Sequence, residues 1–193
     1  MELDFVNIDR YENIEQIIYE KVKEYKPNTI VELGFGSGAL TVAMALGLKE
    51  INPKGKIHTY DNFSDKRVRG VKGLSKTLFT ETKKRIKIRN LDKYVNLIVG
   101  DVFEKWVDNP FDFDLLIIDI NNTWDDIYKI TVDNKFIYNK IKKGAKVFIE
   151  GGDPNHPRIN QDTLNEGPFK QTFSFKHLGG SKRTSISKLE ILI

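Results

Sequence analysis

The sequence predicts an α/β fold in which a mostly parallel sheet is covered by helices on both faces. Short β-branched runs alternate with stretches of helical periodicity along most of the chain, the pattern of parallel strands joined by crossover helices. The end of the chain breaks that rhythm, because two strand-like runs there are separated only by a short glycine-containing link and must pair antiparallel. The size is right for one such unit: 193 residues, 39% hydrophobic and 30% charged, fit a single domain spanning residues 1–193.

Taken in order, Ile14, Ile17, Ile18, Val22 and Tyr25 recur at helical spacing ahead of Pro27, which predicts a helix over 11–25. Thr29 to Gly34 reads as a buried strand. Ala39 to Ile51 reads as a helix that stops before Pro53, and Lys56 to Asp61 as the second strand. Val71, Leu74, Leu78, Thr82 and Ile86 form one stripe along a helix over 72–90. Tyr94 to Gly100, Phe113 to Asp119 and Ala145 to Glu150 supply three more strands. Between the last two, Thr123 with Asp126 three residues on starts a helix that Gly144 is placed to end. Phe173, Phe175 and His177 alternate in a sixth strand, Gly179 to Ser181 is expected to turn the chain, and Thr184 to Ile193 is the seventh.

Composition removes several classes of function. With no cysteine in the chain, disulfides, thiolate metal sites and cysteine nucleophiles are excluded. Apolar stretches such as Val42 to Leu48 fall far short of the ~20 residues of a membrane span. The N-terminus, MELDFVNIDRYENIEQ, lacks a basic start followed by an apolar block, so the expected compartment is the cytoplasm. The overall charge of +4 is unevenly spread: Lys66 to Lys93 holds eleven basic residues against Glu81 and Asp92, a net +9 that leaves −5 on the rest. Such a segment is either a solvated helix face or a surface for an anionic partner.

The segment richest in chemistry is VELGFGSG, Val31 to Gly38. A strand ends there, and glycines at 34, 36 and 38 allow a tight turn whose backbone can approach a ligand before a helix begins. Gly34, Gly36 and Ala39 also satisfy the loose dinucleotide pattern, which leaves a nicotinamide oxidoreductase open. Glu32 ahead of the first glycine, acids at Asp61 and Asp101 after the next two strands, and the terminal hairpin favour a cationic ligand over a pyrophosphate.

On these residues the chain resembles the class I S-adenosylmethionine-dependent methyltransferases over nearly its whole length. The resemblance implies a Rossmann-like three-layer sandwich, with seven strands of which the last is antiparallel. It implies further that Glu32, Gly34, Phe35, Gly36, Ser37 and Gly38 hold the methionine part of S-adenosylmethionine, that Asp61 with Asn62 binds the ribose hydroxyls, and that Asp101 with Val102 meets the adenine. The protein then supplies placement for an in-line displacement, and a hydroxyl acceptor needs a base or a metal as well.

After the fourth strand the chain reads IIDINNTWDDIY, with no Asn-Pro-Pro-Tyr type motif of the kind that serves amino methylation of bases or glutamine. The stretch is instead similar to the Asp-x-Asp-x-Tyr segment of the macrocin O-methyltransferase group, and Thr59 to Asp65 to its Asp-x-Phe segment. That similarity implies a magnesium ion at Asp119, Asn121 and Glu150, although Asn121 stands where a second acid is usual. Asp119 and His156, the latter in the loop after the fifth strand, are the candidate catalytic groups, and Trp124 and Tyr128 could wall an acceptor pocket. The expected substrate is a small, anionic, polyhydroxyl acceptor such as a sugar, a nucleotide-sugar or a natural product. An RNA acceptor lying along the basic segment, and a non-catalytic cofactor-binding protein, are the competing readings. A partner subunit could complete the pocket of so short a chain.

Overall fold

The structure, a computed structural model, describes residues 4–6, 13–62, 74–120, 124–153, 155, 173–181 and 184–192. Its strands are β1 (Thr29–Leu33), β2 (Lys56–Asp61), β3 (Val95–Val99), β4 (Leu115–Ile118), β5 (Lys146–Glu150), β6 (Phe173–Ser181) and β7 (Thr184–Ile191). Its helices are α1 (Ile14–Tyr25), α2 (Ala39–Ile51), α3 (Leu74–Ile88), α4 (Trp124–Tyr128) and α5 (Lys135–Lys142). The strands form one sheet in the order β3-β2-β1-β4-β5-β7-β6. The pairs β1–β2, β2–β3, β1–β4 and β4–β5 are parallel, and β7 is antiparallel to both β5 and β6. One strand of seven therefore opposes the rest, as expected from the sequence.

Alternate residues of the central strands feed two separate cores. Val31, Leu33, Leu116, Ile118, Val147 and Ile149 face a cluster with Trp106, Ile127, Ile130, Ile137 and Ile141. Ile30, Ile57, Leu115, Ile117 and Phe148 face the opposite one, with α1, α2 and Ile86 of α3. Each side chain buried completely in this way contributes roughly 1.5–3 kcal/mol. The helix α2 is enclosed between α1 and the sheet, so it is apolar nearly all round. Gly47 lets the two helices meet, since a Cβ there would lie 2.9 Å from Val22 Cγ1.

Two expectations are corrected. The helix from 123 to 144 is not continuous: α4 runs into a π-helical turn (Lys129–Asp133), and α5 begins only after Asn134. Asn134 leaves helical geometry because its side chain accepts from Ile137 N at 3.1 Å as an N-cap and donates to Val107 O at 2.6 Å. Thr123, the expected cap, lies outside the described residues. The second correction concerns Gly179 to Ser181, which does not turn the chain but continues β6, with Gly179 paired to Ile186 and Ser181 to Thr184. The glycines instead serve a bulge after His177, where φ is +153° at Gly179 and +107° at Gly180. The strand ends otherwise differ from expectation by a residue or two, and the expected starts of the first and third helices, at 11 and 72, lie outside the described residues.

Candidate functional site

The strand order runs 3-2-1 in one direction and 4-5 in the other, so a crevice opens at the carboxyl ends of β1 and β4. The glycine loop lies there. Gly34 N donates to Tyr60 O at 2.7 Å and Asp119 N donates to Leu33 O at 2.8 Å, so the loop starts between the ends of β2 and β4. Gly34 has φ +86°, and a Cβ on it would fall 2.0 Å from the Asp119 carbonyl oxygen. Gly38 has φ +77°, and its Cβ would fall 2.5 Å from Thr82 Cγ2. Gly36 is different: at φ +43° it has nothing within 4 Å of the Cβ position. Two glycines are thus dictated by packing, and the one between them faces open space.

Beyond the loop, α2 begins at Gly38 with no side-chain cap and no acid in its first turn. Ser37 Oγ beside it is buried with no hydrogen-bond partner. An unused hydroxyl donor next to an uncapped helix N-terminus suits an anionic group such as a carboxylate. Phe35 and Val102 are buried and shape the surroundings rather than offering polar atoms.

Three side chains from β2 and α3 hold the loop in this shape. Asp61 Oδ2 accepts from Gly36 N at 3.0 Å, Thr82 Oγ1 donates to Gly36 O at 3.3 Å, and Arg85 Nη1 donates to Ser37 O at 2.5 Å. The sequence places Asp61 at this site as a ribose ligand and not as a brace for the loop, and it does not single out Thr82 or Arg85. Thr82 counted as part of an apolar stripe and Arg85 as part of a basic run. Their spacing with Leu78, Ile86 and Arg89 does place Arg85 on the inward side of α3, and that was the signal available.

The acids fall into distinct situations. Glu32 is 1% exposed, and its Oε2 accepts from Thr41 Oγ1 at 2.6 Å, so it supports the base of the loop. Burial pushes its carboxyl up to about 7; the Thr41 and Thr59 hydroxyls pull the other way, and the neighbouring Asp61 charge adds to the rise. Asp101 Oδ1 accepts from Phe103 N at 2.9 Å, at the start of the turn Phe103–Val107. Gly100 N donates to Asp61 O at 3.0 Å, which draws the end of β3 against that of β2 and gathers Asp61, Asn62 and Asp101 at one rim.

On the other side of the crevice, Asp119 is half-buried at the end of β4 and Glu150 is buried at the end of β5. They follow the paired residues Ile118 and Ile149 and so end neighbouring strands. Asn121 and His156 lie outside the described residues, as does the side chain of Trp124; Tyr128 is half-buried against the core on the α4 side. Among the described residues no group of three metal-ligating side chains comes together. His58, in β2, lies edge-on to Phe111 with ring centroids 4.7 Å apart, and burial lowers its pKa. Among the described residues, no helix is long and apolar enough to cross a membrane.

No protein-family model and no curated protein sequence matches the chain. Solved structures do. The methyltransferase PaMTH1 of Podospora anserina, bound to S-adenosylhomocysteine, is similar at 16% identity with a TM-score of 0.62, over 93% of this chain and 78% of that one. A methyltransferase from Geobacter sulfurreducens gives 14% identity and 0.61, over 97% and 81%. The O-methyltransferase TomG of Streptomyces achromogenes, involved in tomaymycin synthesis and in complex with S-adenosylmethionine, gives 14% and 0.55, over 93% and 80%. The chain therefore has the Rossmann-like fold of the class I S-adenosylmethionine-dependent methyltransferases.

Proposed function

We propose that the chain is an S-adenosylmethionine-dependent methyltransferase acting on a hydroxyl of a small, anionic, polyhydroxyl acceptor, such as a sugar or a nucleotide-linked sugar. The observation that carries the reading is the glycine loop. Gly36 leaves open space, Ser37 Oγ is an unused buried donor, and the first turn of α2 has no side-chain cap. These residues fit the carboxylate of the cofactor's methionine part. Asp61 and Asp101 at the rim fit its ribose and adenine, with Asn62 beside the first. Glu32 contributes from beneath by fixing Thr41 and the start of α2.

When bound, the cofactor supplies the electrophilic methyl group. The chain's part is to hold the acceptor oxygen in line with that methyl and to take its proton. Asp119 is the group we assign to the proton, because its backbone is fixed against the loop through Leu33 O while its side chain ends β4 beside the crevice. His156 is the second candidate, from the loop after β5. Among the described residues no group of three metal-ligating side chains forms around Asp119 and Glu150, and Asn121 lies outside them. Transfer to oxygen rather than nitrogen is favoured by the absence of a proline-containing amino-methylation motif after β4, and it agrees with the O-methyltransferase TomG among the similar structures.

Calorimetry with S-adenosylhomocysteine and with NAD tests the first half: homocysteine-nucleoside binding without NAD binding is expected, and the reverse would replace the reading with an oxidoreductase. Transfer of labelled methyl to a panel of sugars and nucleotide-sugars tests the second. Binding without turnover on any acceptor would leave a cofactor-binding protein, and unchanged turnover in both Asp119→Ala and His156→Ala would remove the assigned bases.

A further inference from the structure

The helix α3 breaks two local rules of helix electrostatics. Its first turn holds no acid and does hold Lys76, so the charge there opposes the helix macrodipole. Further on, Lys83 and Lys87 are four residues apart and Lys84 and Lys87 three apart, like-charge spacings that each cost a few tenths of a kcal/mol. Among the described residues none of Lys76, Lys83, Lys84 and Lys87 has a carboxylate within ion-pair distance; Lys83 lies over the Phe79 ring, with Nζ 5.1 Å from its centroid. Glu81, three residues before Lys84, and the dipole at the helix's last turn offset part of that repulsion, so what sets α3 apart is the density of its exposed lysines.

The charges are also aligned. At 3.6 residues per turn Lys76, Thr80, Lys83 and Lys87 share one line, Lys84 lies beside it, and all five are exposed. The opposite side of α3 is occupied: Thr82 and Ile86 are buried, and Thr82 and Arg85 hold the glycine loop. The stripe extends about 16 Å along the helix. Over that length a single small anion can reach one or two ammonium groups, but a chain of phosphates can reach them all. A bilayer surface fits less well, because α3 has no apolar face left to insert; among its described side chains only Ile88 is a large apolar residue in solvent.

We infer that this stripe is a docking surface for the phosphodiester backbone of a nucleic acid, carried on the helix that braces the glycine loop. The surface stands on α3 alone and does not require the methyltransferase reading, so it is measured without cofactor. Fluorescence anisotropy with a labelled 20-nucleotide single-stranded RNA should show affinity that falls as salt rises, with a log–log slope of about −3 for four lysines. K83E/K87E should weaken binding about tenfold or more and roughly halve the slope, while K83Q/K87Q weakens it severalfold. K142E, on α5, should bind as the unaltered chain does. Thermal midpoints of all three variants establish that the fold is kept. RNA affinity equal to the parent's in either Lys83/Lys87 variant, a slope near zero, or tighter binding to phosphatidylserine-containing vesicles than to RNA would overturn the inference.

Discussion

The loops after β1 and after β5 look alike in sequence and behave differently in space. Each follows a buried parallel strand, each strand carries a buried glutamate near its end, Glu32 in one and Glu150 in the other, and each loop contains glycines in left-handed geometry: Gly34, Gly36 and Gly38 in the first, Gly151 and Gly152 in the second. The β1 loop is held by side chains from β2 and α3 and leaves Gly36 open with Ser37 Oγ unused. The β5 loop is tied to its own neighbour: Gly151 N donates to Ser185 O at 2.8 Å, Ser187 Oγ donates to Gly151 O at 2.8 Å, and Asp153 N donates to Ser185 Oγ at 3.0 Å. The first loop keeps Gly36 open and Ser37 Oγ without a partner, while the described residues at the start of the second, Gly151 and Asp153, bond to β7. Glycines after a strand mark a change of direction; a buried donor without a partner beside an open backbone position is what points to a ligand.

The largest effect should come from the two kinds of glycine within the β1 loop. Gly34→Ala places a Cβ against the Asp119 backbone, which cannot move without disturbing β4, and adds left-handed strain; a loss of about 3 kcal/mol or more in thermal or denaturant unfolding is expected. Gly36→Ala adds only the strain, about 1 kcal/mol, yet should abolish stabilisation by S-adenosylhomocysteine. If Gly36→Ala kept that stabilisation, the open position would not be the ligand's.

Glu32 gives the next effect, through pH. Its carboxyl titrates near 7 when folded and at its ordinary, lower value when unfolded, so between those values the folded state binds the extra proton. Stability is therefore greatest below the unfolded pKa and falls as pH rises towards 7, by up to about 3 kcal/mol. Glu32→Gln should flatten the unfolding free energy between pH 4.5 and 7. A profile equally steep in the variant would show that the buried glutamate of β1 is not the group responsible.

The smallest effects separate the two loops. Ser187→Ala should cost about 1 kcal/mol of stability by stranding the Gly151 carbonyl, and leave S-adenosylhomocysteine affinity alone. Arg85→Ala should do the opposite, moving the melting temperature little and weakening the ligand roughly fivefold, because the guanidinium orients the Ser37 peptide beside the open position. Matching changes in both variants, read by thermal unfolding and calorimetry, would erase the distinction.

Much of the site was legible in the chain. Gly34, Gly36 and Gly38 stood out because left-handed backbone admits few other residues, and Asp61, Asp101 and Asp119 stood out because each lies at or just after the end of a strand. Thr82 and Arg85 did not, because a threonine in an apolar stripe and an arginine in a basic run look like packing and solvation until the helix is docked. The break at Asn134 was hidden for a related reason: its cap to Ile137 is local and readable, but its bond to Val107 joins residues that only the fold brings together.

The order of strands and helices, the two-faced sheet and the position of the glycine loop were determined by the sequence alone, because hydrophobic period and backbone permissiveness act over a few neighbouring residues. The tertiary structure decided which glycine stays open, which acid supports from below, and which face of the basic helix turns inward to brace the loop. Those outcomes depend on contacts between segments far apart in the chain, such as Gly34 against Asp119 and Arg85 against Ser37, and pattern along the chain carries no record of the distance between them.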